Sequence, residues 1–284
     1  MSKIAFVTDS TAYIPREVRE KYPITVVPQV VIWENETFED DVTITSEQFY
    51  TRLKTAKVMP STSQVSIVNM HKTFNNLIEQ GYEVLGVFLS SKLSGTLQSA
   101  TLGREELASG KEKVHILDSE TTAMAMGFQI LTAARAAVDG ASMADCKALV
   151  EKARAHTGLY LTVDTLEFLH RGGRIGGAQR FLGTALNLKP ILTVEGGRVE
   201  ALERVRTRGK ALDRVVELIA EKCAGKSPVH IATLHANAES DAKILVDKIS
   251  PLVNPVETVF AAVSPTVGAN TGPGTVGLAY MAGM

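Results

Sequence analysis

The chain is expected to fold as an α/β protein, and three features of its sequence carry that expectation. Short apolar runs recur and end in hydroxyl-rich turns: Ile4-Ala5-Phe6-Val7 before Thr8-Asp9-Ser10, Val84 to Leu89 before Ser90-Ser91, and Val114-His115-Ile116-Leu117 before Asp118-Ser119. Runs of this kind suit strands covered on both faces, as in parallel sheets. Between them lie stretches with helical spacing, so strand and helix alternate through the first half and predict a mostly parallel sheet. The third feature is length: 284 residues suffice for two ordinary domains or one large one. Asp139-Gly140 is the expected boundary, which divides the chain into residues 1–140 and 141–284, both α/β.

Taken in order, Ile4 to Val7 is the first strand, and Pro15 suits the first turn of a short helix over Arg16 to Tyr22. Ile24 to Trp33 reads as an extended segment with an edge or bulge at Pro28. Thr45-Ser46-Glu47-Gln48 resembles a capping box for a helix carrying Phe49 and Leu53. Met59 to Gln64 is a hydroxyl-rich loop. Met70, Phe74, Leu77 and Ile78 then mark a helix that Gly81 closes. The strand Val84 to Leu89 leads through Ser90-Ser91-Lys92-Leu93-Ser94-Gly95 into a helix from Thr96 to about Leu107. Met124 to Val138, apolar and alanine-rich, is expected to be a well-buried helix.

The second half opens with an amphipathic helix, Met143 to His156, followed by a strand at Tyr160 to Val163. Lys189 to Val194 and Arg198 to Ala201 flank Glu195-Gly196-Gly197 as a hairpin. Leu212, Val215, Val216 and Ile219 line one helix face. Val229 to Leu234 and Val256 to Val263 are further strands, and Gly272-Pro273-Gly274 precedes an expected final helix.

Composition narrows the function. With 45% hydrophobic and 21% charged residues and a net charge of −1, nothing argues for nucleic acid or an anionic membrane. The start reaches a polar turn too soon for a secretory signal, and no apolar run is long enough to span a bilayer, so a cytoplasmic protein is expected. Cys146 and Cys223 stand alone, with no CxxC pair or Cys/His cluster. His230 and His235, five apart on a strand, point to opposite faces and cannot clamp one metal. No GxGxxG, GxxxxGK[ST] or GxSxG motif is present.

The chemistry-bearing residues sit in the turns. Ser94, Gly95 and Thr96 stand where a strand ends and a helix begins, so hydroxyls, free backbone N–H groups and the positive end of a helix dipole converge. That setting suits a carboxylate or phosphate, or Ser94 simply caps the helix. Asp9 and Asp118 end separate strands, as an acid/base pair or as caps. The run from His170 to Gly177, with Arg171 and Arg174 among four glycines, is either a solvated basic turn or a place where a partner approaches closely and the arginines bond a carboxylate or phosphate. Gly272-Pro273-Gly274 is a tight turn or an anion nest.

Together these stretches resemble the DegV family of bacterial fatty-acid-binding proteins, with the so-called EDD fold. The resemblance covers Thr8-Asp9-Ser10, Ser61-Thr62-Ser63-Gln64, Ser91 to Thr96, Leu169 to Ile175, Leu188 to Leu192, Val205 to Arg208 and Gly268 to Gly274. It implies two α/β domains with a long-chain fatty acid, such as palmitate or a C18 acid, in a slot between them. By resemblance, hydroxyls at Thr62 and Ser94 hold the carboxylate, within a ligand set of Thr62, Ser63, Ser94, Gly95, Arg206, Asn270 and Thr271. The protein would perform no catalysis. It would present the acid to a separate fatty-acid kinase for phospholipid synthesis, through a surface with Arg171 and Arg174. No metal or other cofactor is implied, and a monomer is expected. Asn270 stands where the family pattern has histidine; it can donate through its amide but cannot titrate. Two other readings remain: a carrier of another amphipathic carboxylate, and a stand-alone acyl- or phosphoryl-transfer enzyme using Asp9, Ser94 and Asp118.

Overall fold

A computed structural model describes residues 3–182 and 188–284. The first half runs β1 (Lys3–Asp9), α1 (Arg16–Arg19), β2 (Ile24–Val27), β3 (Val30–Trp33), β4 (Glu36–Glu39), α2 (Ser46–Leu53), β5 (Ser61–Ser63), α3 (Ile67–Glu79), β6 (Tyr82–Phe88), α4 (Thr96–Glu105), β7 (Val114–Asp118) and α5 (Ala123–Val138). The second half runs α6 (Met143–His156), β8 (Thr157–Thr162), α7 (Glu167–Arg171), β9 (Lys189–Glu195), β10 (Arg198–Val205), α8 (Arg208–Cys223), β11 (Val229–His235), α9 (Glu239–Val253), β12 (Glu257–Val259), α10 (Pro265–Thr271) and β13 (Val276–Ala282).

The expected α/β class is what the structure has. Strands β2-β1-β6-β7 form a parallel sheet in that order, and β10-β9-β8-β13-β11-β12 form a second, mostly antiparallel one. A small antiparallel sheet, β4-β3-β5, stands beside them. Helices α3 and α4 cover one face of the parallel sheet, and α8 and α9 cover one face of the second. Between the two sheets lies α5, which touches β1 and β6 on one side and β8, β11 and β13 on the other.

Burial explains why α5 takes that place. Eleven of its residues, from Ala123 to Ala134, are buried, and a helix that is apolar all round has to be enclosed. Alternation along the strands sorts the core into layers. Phe6, Leu85 and Val87 face α5, whereas Val7, Val84 and Phe88 face α3 and α4. In the second sheet Leu159, Leu161, Ala279 and Met281 face the centre, while Tyr160, Leu278 and Tyr280 pack under α8 and α9.

Local signals mostly became the expected elements. Thr45 and Gln48 complete the capping box of α2, and Gly81 follows α3 with φ 85°. Five expectations require correction. The helix after Pro15 ends at Arg19 rather than Tyr22. The segment Ile24 to Trp33 is two strands in different sheets, because Pro28 lies where one pairing ends and another begins. The loop Met59 to Gln64 contains β5, whose backbone pairs with β3. Regular pairing beyond β11 stops at Val259, so Val256 to Val263 is only partly strand. Gly272-Pro273-Gly274 leads into strand β13, not a helix; apolar positions on both faces of that central strand read equally well either way.

Candidate functional site

In the parallel sheet β1 and β6 are neighbours whose connections leave to opposite sides, which opens a crevice at their carboxyl ends. Asp9 closes the bottom of that crevice. Its Oδ1 accepts from the Thr11 N–H (3.0 Å) and Thr11 Oγ1 (2.6 Å), and its Oδ2 accepts from the Leu89 N–H (3.0 Å). Burial raises its pKa, and these hydrogen bonds oppose the rise by favouring the ionised form. Asp9 therefore ties the two loops together, the capping role. Asp118 accepts from the N–H groups of Ser91 and Glu120 and does not line the cavity described next. Of Asp9, Ser94 and Asp118, only Ser94 lines that cavity.

Above this crevice lies a slot lined by both halves of the chain. Together with its open mouth, and the solvent space there, it leaves about 910 Å³ free of protein atoms. Its wall is largely aliphatic: Leu89 and Leu93 from the first half, and Leu159, Leu161, Leu192 and Leu234 from the second. Polar side chains line it as well: Thr62, Ser63, Gln64, Ser94, Arg174 and Asn270, and also Thr11, Tyr13, Gln29, Thr122, Thr266, Thr271 and Thr275. A shallower depression beside Thr62, Arg174 and Asn270 continues outward to Met59, Phe168 and Arg171.

Each polar group is set by the element beneath it. Pairing of β5 with β3 holds Thr62 opposite Val31. Ser94 lies in the turn before α4; its Oγ accepts from the Thr96 N–H (3.3 Å) and lies 3.0 Å from Thr96 Oγ1. Ser94 thus braces the helix start from the position before the N-cap residue Gly95, and it lines the slot. Asn270, on α10, donates from Nδ2 to the Thr266 carbonyl (3.0 Å) and, over a longer 3.4 Å, to Thr62 Oγ1. A side chain at position 172 would overlap Asn270 Oδ1, so Gly172 lets α7 and α10 meet closely. The glycine-rich run is in this respect a packing device. Thr271 lines the slot, but its hydroxyl donates to the Val267 carbonyl (3.1 Å).

Three expected positions differ in place or role. Gly95 is not a lining residue; any Cβ there would overlap Gln64, whose amide packs against it and donates to Ser99 Oγ (3.0 Å). Arg206 is exposed between β10 and α8 and does not line the slot. Arg174, expected at an exposed surface, is half-buried in the slot wall, donating to the carbonyls of Leu93 (3.0 Å) and Gly172 (2.5 Å). Arg171 is exposed and pairs with Glu167 at 2.6 Å. The apolar wall from β8 was missed, although Leu159 and Leu161, two residues apart, carry the signal for one shared face.

The histidines stand apart. His230 Nδ1 lies 2.8 Å from Glu257, and the His235 ring packs against Phe260. Among the described residues no group of three or more His, Cys, Asp or Glu is placed to hold a metal, and no helix is long and apolar enough to cross a membrane.

The layered fold defines an α/β protein with a largely aliphatic slot lined by both halves of the chain. The chain belongs to the DegV family: the family model described as "Uncharacterised protein, DegV family" matches residues 3–283. A DegV domain-containing protein of Streptomyces coelicolor is 37% identical over 277 residues, covering 97% of each chain. Among solved structures, the one described as fatty acid binding of a DegV family protein from Thermus thermophilus superimposes with a TM-score of 0.93. It is 32% identical and covers 99% of this chain and 100% of that one. DegV of Bacillus subtilis, described as a fatty acid binding protein, has a TM-score of 0.90, 32% identity and the same coverage.

Proposed function

We propose that this protein binds one long-chain fatty acid, with the acyl chain in the slot and the carboxylate at Thr62 and Ser94. The observation that carries this reading is the slot itself, whose wall carries seven leucines and, from Thr62, Ser94 and Asn270, hydroxyls and an amide. Burying an acyl chain is favourable by roughly 0.8 kcal/mol per methylene, so affinity comes from length, and a few polar groups suffice for orientation. Ser63 borders the same end, and Asn270 supports Thr62. The similarity to the Thermus thermophilus and Bacillus subtilis proteins supports the same ligand class.

In this reading the protein is a cytoplasmic, monomeric carrier without catalysis of its own. Its two domains, residues 1–140 and 141–284, each contribute one wall of the slot. The carboxylate end lies nearest the depression that reaches Arg171, which suits presentation to a separate fatty-acid kinase that transfers a phosphoryl group from ATP to the carboxylate, releasing ADP and giving an acyl phosphate for phospholipid synthesis. Mass spectrometry of an organic extract of the gently purified protein tests the ligand. A stoichiometric C16 or C18 acid is expected; a different amphiphilic carboxylate, or none, would overturn the assignment. Adding a fatty-acid kinase and ATP tests the presentation, with acyl phosphate formed only when both proteins are present.

A further inference from the structure

Most hydroxyls around the slot are committed within the protein. Thr11 donates to Asp9 (2.6 Å), Thr271 to the Val267 carbonyl (3.1 Å) and Thr275 to the Gly272 carbonyl (2.8 Å), and Ser94 shares a bond with Thr96. Among the described residues, three slot-lining hydroxyls, those of Tyr13, Thr122 and Thr266, are buried and reach no hydrogen-bond partner. Thr266 is 8% exposed. Two of the three share a neighbour in Asp40, whose charge acts on the Tyr13 phenol and whose Oδ1 accepts from the Thr266 N–H (3.0 Å). The other oxygen of Asp40 accepts from Ser10 Oγ (2.6 Å). Ser264 Oγ lies close to Tyr13 and Asp40, yet it too is without a partner at hydrogen-bonding geometry. Tyr13 has φ 56°, a left-handed backbone that residues other than glycine rarely adopt and that gathers at ligand sites.

A buried hydroxyl left unpaired is costly. A methylene chain lying against Tyr13 and Thr266 would leave both so. A hydroxyl on that chain can accept from one and donate to the other. A site with such groups discriminates strongly against the analogue that lacks the matching hydroxyl, because its own groups are then stranded. Helix α10 indicates where along the ligand that hydroxyl falls. Thr266 stands one turn before Asn270, whose Nδ2 donates to the Thr266 carbonyl (3.0 Å) and to Thr62 Oγ1 (3.4 Å). One turn advances about 5.4 Å and keeps both side chains on the same face, a few carbons from the carboxylate placed at Thr62. Resting on the fatty-acid reading above, we propose that Tyr13 and Thr266 form a second polar subsite, and that the slot prefers a long-chain 3-hydroxy acid to the unsubstituted chain.

The test is competitive displacement of a fluorescent fatty acid from the delipidated full-length protein. The competitors are palmitate, each enantiomer of 3-hydroxyhexadecanoic acid, and 16-hydroxyhexadecanoic acid. One 3-hydroxy enantiomer is expected to bind at least about fivefold more tightly than palmitate, the scale of one buried hydrogen bond. The 16-hydroxy acid should bind no more tightly than palmitate. Thr266→Val keeps the side-chain shape and the N–H bond to Asp40, and Tyr13→Phe keeps the ring. In both variants the 3-hydroxy preference should fall severalfold while palmitate binds as well as before or better. Retained palmitate binding marks a variant as folded, and if one variant does not fold the other decides the matter. No preference for either 3-hydroxy enantiomer in the unaltered protein would overturn the proposal, as would a preference that the folded variants leave unchanged. An equal gain for the 16-hydroxy acid would overturn it too. Failure of the unaltered protein to bind palmitate and the hydroxy acids alike would instead overturn the fatty-acid reading.

Discussion

Ser94 and Asn270 both line the slot, one from the turn before α4 and the other from α10. Ser94 faces it with a hydroxyl whose partners are local, so Ser94→Ala should leave the fold intact while weakening palmitate retention roughly tenfold or more, the loss of one bond to a charged group. Unchanged retention in a dialysis assay would remove Ser94 from the head-group site. Asn270 carries no proton that titrates near neutrality, so palmitate affinity should show no step between about pH 5.5 and 8 from this position. Asn270→His would introduce one. A histidine beside a bound carboxylate has its pKa raised above the ordinary ~6.5. The added affinity should be present at the acid end and be lost as pH rises through that raised value, which titration calorimetry at several pH values would register. Of these residues, Thr62, Ser94 and Asn270 were legible because they stand in recognisable strings. The place of Arg174 in the slot wall was not, since its bond to the Leu93 carbonyl joins residues 81 positions apart.

Among the elements, α3 and α4 pack so closely that glycine is required at the crossing. A Cβ on Gly103 would come within 2.8 Å of the His71 backbone nitrogen and the Met70 Cβ. Gly103→Ala is therefore expected to destabilise the protein by about 1–3 kcal/mol through overpacking, measured as a lower denaturant midpoint at unchanged m-value. A second junction joins α5 to β11 and β12: Arg135 Nη2 donates to both oxygens of Glu257 (2.8 and 2.9 Å), and His230 lies against the same carboxylate. The hydrogen bond with His230 chiefly, then that with Arg135, holds Glu257 below its ordinary pKa, against the opposing effect of burial. A carboxylate lowered in the folded state stabilises above its unfolded value and ceases to do so as pH falls through the folded one. Stability should accordingly decline below about pH 4.5, and Glu257→Gln should be less stable at pH 7 and flatter in that acid range. Helix and strand types along the chain were readable from periodicity; the partners of β3 and β5 were not, because a three- or four-residue strand carries too little pattern to name its neighbour.

At the scale of the whole molecule, the loop that carries Ser94 is fastened to the β9–β10 turn of the second half. Ser90 Oγ donates to the Gly197 carbonyl (2.8 Å), Lys92 Nζ donates to the Gly196 carbonyl (2.6 Å), and Arg174 holds the Leu93 carbonyl. These bonds cross between the walls of the slot, so Ser90→Ala should speed release of a bound fluorescent fatty acid more than it lowers the melting temperature. Equal release rates in the two proteins would show that the ligand leaves elsewhere. The α/β class, the central position of an all-apolar helix and the strings that mark the slot's polar end were determined by local sequence, because periodicity and turn chemistry act over a few residues. Only the tertiary structure decided that Arg174 lines the slot while Arg206 does not, and that Gly95 and Gly172 serve close packing. Those outcomes depend on which surfaces meet across the interior, and pairings between residues far apart in the chain leave no periodic trace along it.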